Sequence, residues 1–400
     1  MEVFVARHPV FDAQKEVYGY ELDFRSGFDS YYEALESDTS SLDLMAFVNF
    51  AELTDGKKGF ISFPRNLLLM DFPVLFGSES MITCVPAEVD DDEEILSRCR
   101  SLKEFGYPVA IDDFTIAHLE GPLLELADMV RIDFAATTPE QREAIRQQLA
   151  AGPVQAVARN VETADEFDQA ARWGYSYFHG EFFTKPVVRV DEEISANKLT
   201  YLQLLREVNN PALSYDEIAA LVEQDVALTY KLLRFMNSAW FGLKFEVSSV
   251  KHAPVLLGPK EIRRWVSLVA VRSTGDDKPL ELLVRSLARA KAAEQIGLAV
   301  QMEKEASELF LMGMFSLMDA LADKPMKEVL EKLPLKEDIK AALLGGTGAY
   351  RNVHQAVVSY EQGQWDRFAA AAEALKLDEQ QVPELMRKST VWARQALQEI

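Results

Sequence analysis

Short apolar runs alternate with amphipathic stretches throughout residues 1–190, and this alternation constrains the fold more than any other feature of the sequence. Strands that alternate with helices indicate a parallel sheet covered by helices. About eight strands in roughly 190 residues are typical of a TIM-like barrel. The predicted strands are residues 3–7, 17–24, 59–63, 81–85, 109–113, 129–133, 154–158 and 175–178, and the predicted helices between them are 42–53, 92–105, 139–150 and 163–173.

The first two predicted strands are joined by a short turn at residues 11–16. A connection this short suits an antiparallel pair, because parallel neighbours need a crossover of a dozen or more residues. We therefore predict an α/β TIM-like barrel that is a variant with one antiparallel strand.

From about residue 195 the strand pattern ends and long amphipathic segments follow. Ser214 with Glu217 three residues later forms a capping box that opens one of these helices. This half predicts an all-α helical bundle. We place the barrel domain at residues 1–190 and the helical domain at 195–400.

The formal net charge of -22 excludes several classes of function. An acidic surface repels phosphate backbones and anionic lipids, so we expect no nucleic-acid partner. The sequence has no apolar run of about 18 residues and no secretory pattern at its start, which predicts a cytoplasmic protein without membrane insertion. Its two cysteines, Cys84 and Cys99, lack metal-ligand spacing, and we expect free thiols, no metal and no cofactor.

Five ordered segments of the first half resemble the EAL domain, whose active members hydrolyse cyclic di-GMP. They are YGYEL at 18–22, AIDDF at 110–114, VRID at 130–133, ARNVET at 158–163 and GEFFTKP at 180–186. The resemblance implies two divalent cations held by carboxylates and an amide at the barrel mouth, where they activate water and neutralise the phosphodiester.

The resemblance can be carried over residue by residue. Glu21 matches the glutamate that names the family, Asp112 and Asp113 match its aspartate pair, and Glu162 matches a second acid. The remaining positions depart from the family pattern: Ser62 replaces an asparagine, Cys84 a glutamate, Arg131 a lysine, Arg159 a glutamate and His179 a glutamine.

Arg159 is the departure with the largest consequence, because it puts a permanent cation where a metal-binding carboxylate belongs. We predict that Arg159 and Arg131 pair with Glu21 and Asp112, so that ion pairs replace the metals. Plainer alternatives stay open: the aspartate pair caps a helix, Glu21 is a surface acid and Cys84 is a buried apolar residue. A zinc site made of Glu21, Cys84, Asp112 and His179 is a further alternative.

The second half resembles the HDOD domain, a helical relative of HD phosphohydrolases, in IAALVEQDVAL at 218–228, LLRFMNSAWFG at 232–242 and VKHAPVLLG at 250–258. HD enzymes need an adjacent His-Asp pair for their metal, and Ser316-Leu317 stands at the equivalent position. Asn237, Ser238 and Trp240 are candidate recognition residues. The alternative is that Asn237 caps a helix and Trp240 packs in the core.

Together the two resemblances imply an EAL–HDOD regulator of bacteria. We predict a signal-transduction scaffold that is not an enzyme and contacts other signalling proteins, with homodimerisation left open. The alternative is a cyclic di-GMP receptor that binds without hydrolysis; a working phosphodiesterase and an HD phosphohydrolase are weighed below it. Candidate contact surfaces are Trp240-Phe241 and Phe182-Phe183.

Overall fold

The computed structural model describes residues 4–25, 50–89, 92–150, 152–187, 196–210, 217, 226–236 and 253–399. The described chain divides into two compact units. The first contains the residues up to Phe183 together with the segment Tyr360–Trp365, and the second contains Thr184–Ser359 and the residues from Asp366 onward. The domain boundaries at residues 190 and 195 stay predictions.

Eight strands of the described chain close into a barrel in sequence order. They are β1 (Val5–Asp12), β2 (Val17–Phe24), β3 (Lys58–Ser62), β4 (Met81–Pro86), β5 (Val109–Asp112), β6 (Met129–Asp133), β7 (Gln155–Arg159) and β8 (Tyr177–His179). Strand β1 runs antiparallel to both β2 and β8, and the other neighbours are parallel. The prediction of a TIM-like barrel with one antiparallel strand is confirmed.

The β1–β2 turn is held by the side chain and backbone of Asp12. Its Oδ1 accepts hydrogen bonds from the backbone N–H groups of Gln14 and Glu16, both at 2.9 Å, and its carbonyl accepts one from Lys15 at 3.0 Å. Lys15 has a φ of 62°, the left-handed conformation that a tight turn requires. The turn reverses the chain and sets His8 opposite Glu21.

The inside of the barrel is filled by apolar side chains, as in other barrels of this size. A buried cluster joins neighbouring strands through Val10, Phe60, Ile82, Cys84, Ala110, Met129 and Val157. Tyr18 and Tyr177 stack beside this cluster with ring centroids 4.1 Å apart. Because the interior is a packed core and not a pore, polar chemistry is confined to the strand ends.

Helices α1 (Phe50–Leu53), α2 (Arg65–Leu69), α3 (Glu93–Glu104), α4 (Pro139–Leu149) and α5 (Ala164–Trp173) connect the strands. Three of these helices have an N-cap side chain from the last residue of the preceding loop. Asp92 accepts hydrogen bonds from two N–H groups of α3, and Thr138 and Thr163 form capping boxes with Gln141 and Glu166. These caps fix where each helix begins after its strand.

The second unit is helical, as predicted. Its described helices are α6 (Ala196–Val208), α7 (Val226–Met236), α8 (Ala253–Thr274), α9 (Leu280–Ala299), α10 (Ala306–Phe315), α11 (Met318–Ala322), α12 (Met326–Lys332), α13 (Glu337–Leu343), α14 (Ala349–Glu361), α15 (Trp365–Leu375) and α16 (Val382–Glu399), although α14 and α15 each place residues of Tyr360–Trp365 in the first unit. Helix α8 is interrupted at Gly258, whose φ is 73°. Across the described residues, no helix is both long and apolar enough to cross a membrane.

Candidate active site at the barrel mouth

The carboxyl-terminal ends of the strands bring together side chains that are far apart in the sequence. Residues from β2, β3, β5, β6, β7 and β8 converge at this end, which we call the barrel mouth. The converging residues are Glu21, Ser62, Asp112, Asp113, Arg131, Arg159 and His179. Seven of the nine barrel positions singled out in the sequence therefore lie in one cluster.

Arg131 lies at the centre of the cluster, and its side chain is only 1% exposed. Its Nη1 donates to Asp112 Oδ1 at 2.5 Å, and its Nη2 donates to Glu21 Oε2. Ser62 Oγ donates to the other oxygen of Asp112. Burial alone would lower the pKa of the guanidinium, but Asp112 and Glu21 raise it above its ordinary value. Arg131 is therefore a fixed cation with two counterions.

Arg159 shares one of those counterions. Its Nη2 donates to Glu21 Oε1 at 2.9 Å, and its Nη1 donates to Asp113 Oδ1 at 3.2 Å. Burial raises the pKa of Glu21, but Arg131 and Arg159 outweigh it and hold that pKa well below the usual range. Glu21 is consequently an ionised carboxylate with one oxygen on each guanidinium.

Asp113 is an exposed member of the cluster, with 70% of its side chain accessible. Burial nevertheless raises its pKa, and the nearby Asp112 and Asp133 add to the effect against Arg159. Its backbone φ is 52°, and the N–H of the next residue, Phe114, donates to the carbonyl of Arg131 at 3.0 Å. The backbone is anchored, whereas the carboxylate faces solvent.

His179 borders the cluster without joining its charge network. Its Nε2 lies 3.6 Å from Glu21 Oε2, and its ring meets His8 edge-on at 5.7 Å between centroids. Burial lowers the pKa of His179 to about 4, although Glu21 opposes the shift, so the imidazole is neutral at pH 7. Its Nδ1 is buried and has no hydrogen-bond partner among the residues that the structure describes.

Cys84 borders the cluster from the apolar interior, and Glu162 is not among the residues that converge at the mouth. The thiol of Cys84 is fully buried and lies against Arg131, and burial raises its pKa. Glu162 is exposed, and its backbone N–H donates to Glu166 Oε2 at 2.8 Å, which places it at the start of α5.

One hydrogen bond at the mouth was not predicted. Asn160 Nδ2 donates to Asp133 Oδ2 at 3.0 Å, and Asn160 has a φ of 55°. Both residues belong to motifs that carried the family resemblance, and each sits at the end of its strand, β6 or β7. That position on adjacent strands was the signal that could have paired them.

The family resemblance implies two divalent cations, and the donor set does not fit them. The guanidinium of Arg131 already pairs with the carboxylates of Glu21 and Asp112, and Arg159 adds a second positive charge beside Glu21. Within the described ranges, no group of three or more His, Cys, Asp and Glu residues could hold a metal ion. The zinc alternative fails for the same reason, because Arg131 lies against Glu21, Asp112 and Cys84.

In the helical unit, Ser316, which the resemblance aligns with the HD histidine, is buried and hydrogen-bonded. Its Oγ donates to the carbonyl of Gly313 at 2.7 Å and accepts from Arg289 Nη1 at 3.2 Å, and Leu317 is buried. Asn237, Ser238, Trp240 and Phe241 lie outside the described residues.

The prediction of an exposed contact surface at Phe182-Phe183 is wrong. Both rings are buried. They pack on Phe11, with centroids 5.4 and 4.8 Å away, and Phe182 also stacks on Phe167 at 4.8 Å. The apolar pair fills the core next to the end of β8, so its hydrophobicity has a structural cause.

Residues 197–332 match the family model of the HDOD domain. Over 399 residues the chain is 31% identical to the cyclic di-GMP phosphodiesterase CdgJ of Vibrio cholerae, covering 98% of this chain and 92% of the relative. The chain belongs to the EAL–HDOD family. It is also 30% identical over 404 residues to the uncharacterized protein YuxH of Bacillus subtilis, with 98% of each chain covered.

Among solved structures, the FimX EAL domain from Pseudomonas aeruginosa bound to c-di-GMP is similar to 46% of this EAL–HDOD protein and to 89% of that chain. The identity is 15% and the TM-score is 0.34, so this likeness adds no argument of its own. The EAL and HDOD domains link the protein to cyclic di-GMP signalling.

The expectation that the chain is not an enzyme is wrong, because its relative over nearly the full length is named a phosphodiesterase. The expectation failed because the two arginines are evidence about metal binding and not about catalysis. Arg131 and Arg159 argue against metal ligation, but a guanidinium also stabilises charge on phosphoryl oxygens, so it is compatible with phosphodiester chemistry.

Proposed function

We propose that this EAL–HDOD protein binds cyclic di-GMP at the barrel mouth and hydrolyses it as a signalling phosphodiesterase of the cytoplasm. The observation that carries the proposal is the position of Arg159. Its guanidinium is oriented by Glu21 and reaches the solvent side of the cluster, where Asp113 is exposed. The near full-length relative in Vibrio cholerae, named for this activity, supports the choice of ligand.

The chemistry of the ligand suits such a residue. Cyclic di-GMP carries two phosphodiesters with one negative charge each, and the planar fork of arginine matches the oxygens of a phosphate. A guanidinium held in place before the ligand arrives needs little reorganisation, which favours stabilisation of the charge that develops during hydrolysis. The buried pairs of Arg131 keep Glu21, and through it Arg159, in position.

We propose that the helical unit acts through contacts with other signalling proteins. Ser316 and Leu317 stand where HD enzymes need a His-Asp pair, which supports a role in protein contacts over a second hydrolytic site. An affinity purification of the full chain, with and without cyclic di-GMP, tests this part. Proteins that are recovered with the full chain, but not with a control bait that presents only the barrel surface, would support a role of the helical unit in protein contacts.

The central test is a calorimetric titration of the purified full chain with cyclic di-GMP, followed by chromatography of the recovered nucleotide. We expect heat of binding and conversion to the linear dinucleotide. Binding with intact nucleotide would keep the ligand and refute hydrolysis. Neither heat nor product would refute the proposal as a whole.

A matched pair of variants assigns the result to the barrel mouth. Arg159→Gln should lose binding, whereas Arg98→Gln should not. Arg98 is a suitable control because it is an arginine on α3 that pairs with Asp71 at 2.8 Å on the outer surface of the barrel unit.

A further inference from the structure

The two arginines at the barrel mouth differ in how their counterions meet solvent. Arg131 is 1% exposed and its partners Asp112 and Glu21 are 7% and 15% exposed. Arg159 is 19% exposed, and its second partner, Asp113, is 70% exposed. A solvent-exposed ion pair contributes little stability, whereas a buried pair is costly to break. The Arg159–Asp113 contact is therefore the one contact of this network that an incoming anion can replace at low cost.

The geometry of Arg159 shows the same asymmetry. Its bond to Glu21 is 2.9 Å long, within the usual range for a charge-assisted hydrogen bond, and its bond to Asp113 is longer at 3.2 Å. Its Nε is buried and lacks a hydrogen-bond partner among the described residues. A guanidinium has five N–H donors, so Arg159 has donor capacity beyond these two contacts.

We propose that a phosphate of cyclic di-GMP replaces the Asp113 carboxylate on Arg159, and that the ligand binds at the mouth without a divalent cation. This inference rests on the proposed function in taking cyclic di-GMP as the ligand. It goes beyond that function in naming the group that the ligand displaces and the source of the positive charge.

The charge count at the mouth is consistent with such an exchange. Three carboxylates, Glu21, Asp112 and Asp113, face two guanidiniums. When a phosphate with one negative charge takes the place of one carboxylate on Arg159, the charge at that contact is unchanged. Adding the phosphate without displacing Asp113 would put like charges together on one guanidinium, which is unfavourable.

Asp113 can leave without rearrangement of the barrel. The N–H of Phe114 is bonded to the carbonyl of Arg131, which fixes the backbone beside Asp113. The exposed side chain has only to rotate away from Arg159. A divalent cation, by contrast, would need Glu21 or Asp112, and taking either would leave the buried Arg131 with one counterion instead of two.

The experiment measures the dissociation constant of cyclic di-GMP for the full chain in two buffers, one with EDTA and one with excess magnesium. The wild type, Arg159→Gln, Asp113→Asn and the control Arg98→Gln are compared, with circular dichroism confirming that each is folded. We expect the wild type to bind equally, within about twofold, in both buffers.

The variants have opposite expected effects. Arg159→Gln should weaken binding about 10- to 100-fold, the usual loss for a hydrogen bond to a charged group. Asp113→Asn removes the competing carboxylate and should tighten binding about 2- to 5-fold, since a displaced surface ion pair is worth up to about a factor of five. Arg98→Gln should match the wild type.

The outcomes separate the inference from the function on which it rests. Binding that is more than tenfold tighter in magnesium than in EDTA would overturn the inference and leave cyclic di-GMP as the ligand. Weaker binding by Asp113→Asn would overturn the displacement, because Asp113 would then contact the ligand favourably. No binding by the wild type in either buffer would refute the proposed function itself.

Discussion

Replacing Arg131 with methionine is the perturbation that most directly tests the ion-pair network. The substitution keeps an unbranched side chain of similar length and removes the guanidinium. It leaves Asp112 and Glu21 without their shared partner in a place where little solvent reaches them. Asp112 keeps its hydrogen bond from Ser62, and Glu21 keeps Arg159.

The magnitude follows from these contacts. Each pair of unit charges about 4 Å apart attracts by ~4 kcal/mol at an effective dielectric of 20, before the cost of removing both groups from water. Breaking a buried pair by deleting one partner costs about 3–5 kcal/mol in measured cases. The contacts that Asp112 and Glu21 retain place Arg131→Met at the lower end, so we expect a loss of about 3 kcal/mol at pH 7.

The loss should shrink in acid. The pKa of folded Glu21 lies below its ordinary value, so its ion pairs contribute stability above about pH 4.3 and that contribution fades as the pH falls toward the folded pKa. Wild type and Arg131→Met should therefore converge in stability at low pH.

The assay is urea unfolding of the full chain, combined with hydrogen exchange of the peptides that contain β5 and β6. The exchange data are needed because a chain of two units does not have a single two-state transition. Arg131→Lys keeps the charge but loses the fork that spans two carboxylates, and should cost about 1 kcal/mol. Arg98→Met, on the outer surface, should cost no more than about 0.5 kcal/mol.

A loss below about 1 kcal/mol for Arg131→Met would refute the reasoning, since such a value is typical of exposed ion pairs. A double variant that adds Asp112→Asn should recover part of the lost stability, because Asp112 then carries no uncompensated charge while Glu21 keeps its pair with Arg159.

Three further predictions concern other parts of the chain. Burial lowers the pKa of His354 to about 3, so the imidazole is neutral in the folded protein. The free energy of unfolding should therefore be constant above about pH 6.5 and fall by at most about 1.4 kcal/mol per unit of pH below it. Urea midpoints at pH 7, 6 and 5 should show this slope, and His354→Gln should lack it. Gly313→Ala puts a Cβ 2.4 Å from the carbonyl oxygen of Arg289 and should lower the thermal midpoint through a cost of about 1–3 kcal/mol, and an unchanged midpoint would contradict this close packing of α9 and α10. Cys84 and Cys99 are buried with raised thiol pKa values, so a thiol reagent at pH 8 should titrate two thiols only after denaturant is added, and rapid reaction of the native chain would show that the interior is accessible.

The sequence predicted the barrel well because the alternation of strands and helices is a local pattern. The prediction is wrong where the local pattern disagrees with the strand pairing that closes the barrel. The first strand was predicted to end at residue 7, but β1 extends to Asp12, through His8 and Pro9. Those residues interrupt the apolar run, yet the strand continues because β2 pairs with His8 and Pro9, and β8 pairs with the following residues 10–12.

The sequence predicted which residues belong to the candidate site better than it predicted the contacts between them. Motif residues fall at strand ends, so their convergence follows from the barrel. The contact of Arg159 with Asp113, 46 residues away in the sequence, was not predicted, because it depends on side-chain reach across the mouth, which the sequence pattern does not encode. Cys84 was assigned to the site because it occupies a motif position, and its buried thiol lies against Arg131 from the apolar interior of the barrel.

The expectation about catalysis failed for a different reason. The residue types at positions 131 and 159 bear on metal binding, and they say little about whether a phosphodiester is cleaved by other groups. The comparison with a relative over nearly the whole chain was needed to correct it.

Glu21 is bonded through its two oxygens to two different arginines, and this sharing restricts how the site can evolve. A mutation of Glu21 alone leaves two cations short of a counterion, and a mutation of either arginine leaves Glu21 with half of its compensation. Single steps away from the present arrangement are therefore disfavoured by selection for folding before any effect on activity is felt. Among descendants of a common ancestor, positions 21, 112, 131 and 159 should be inherited as a set and replaced together, so a lineage that regains one family residue gains little until the others follow.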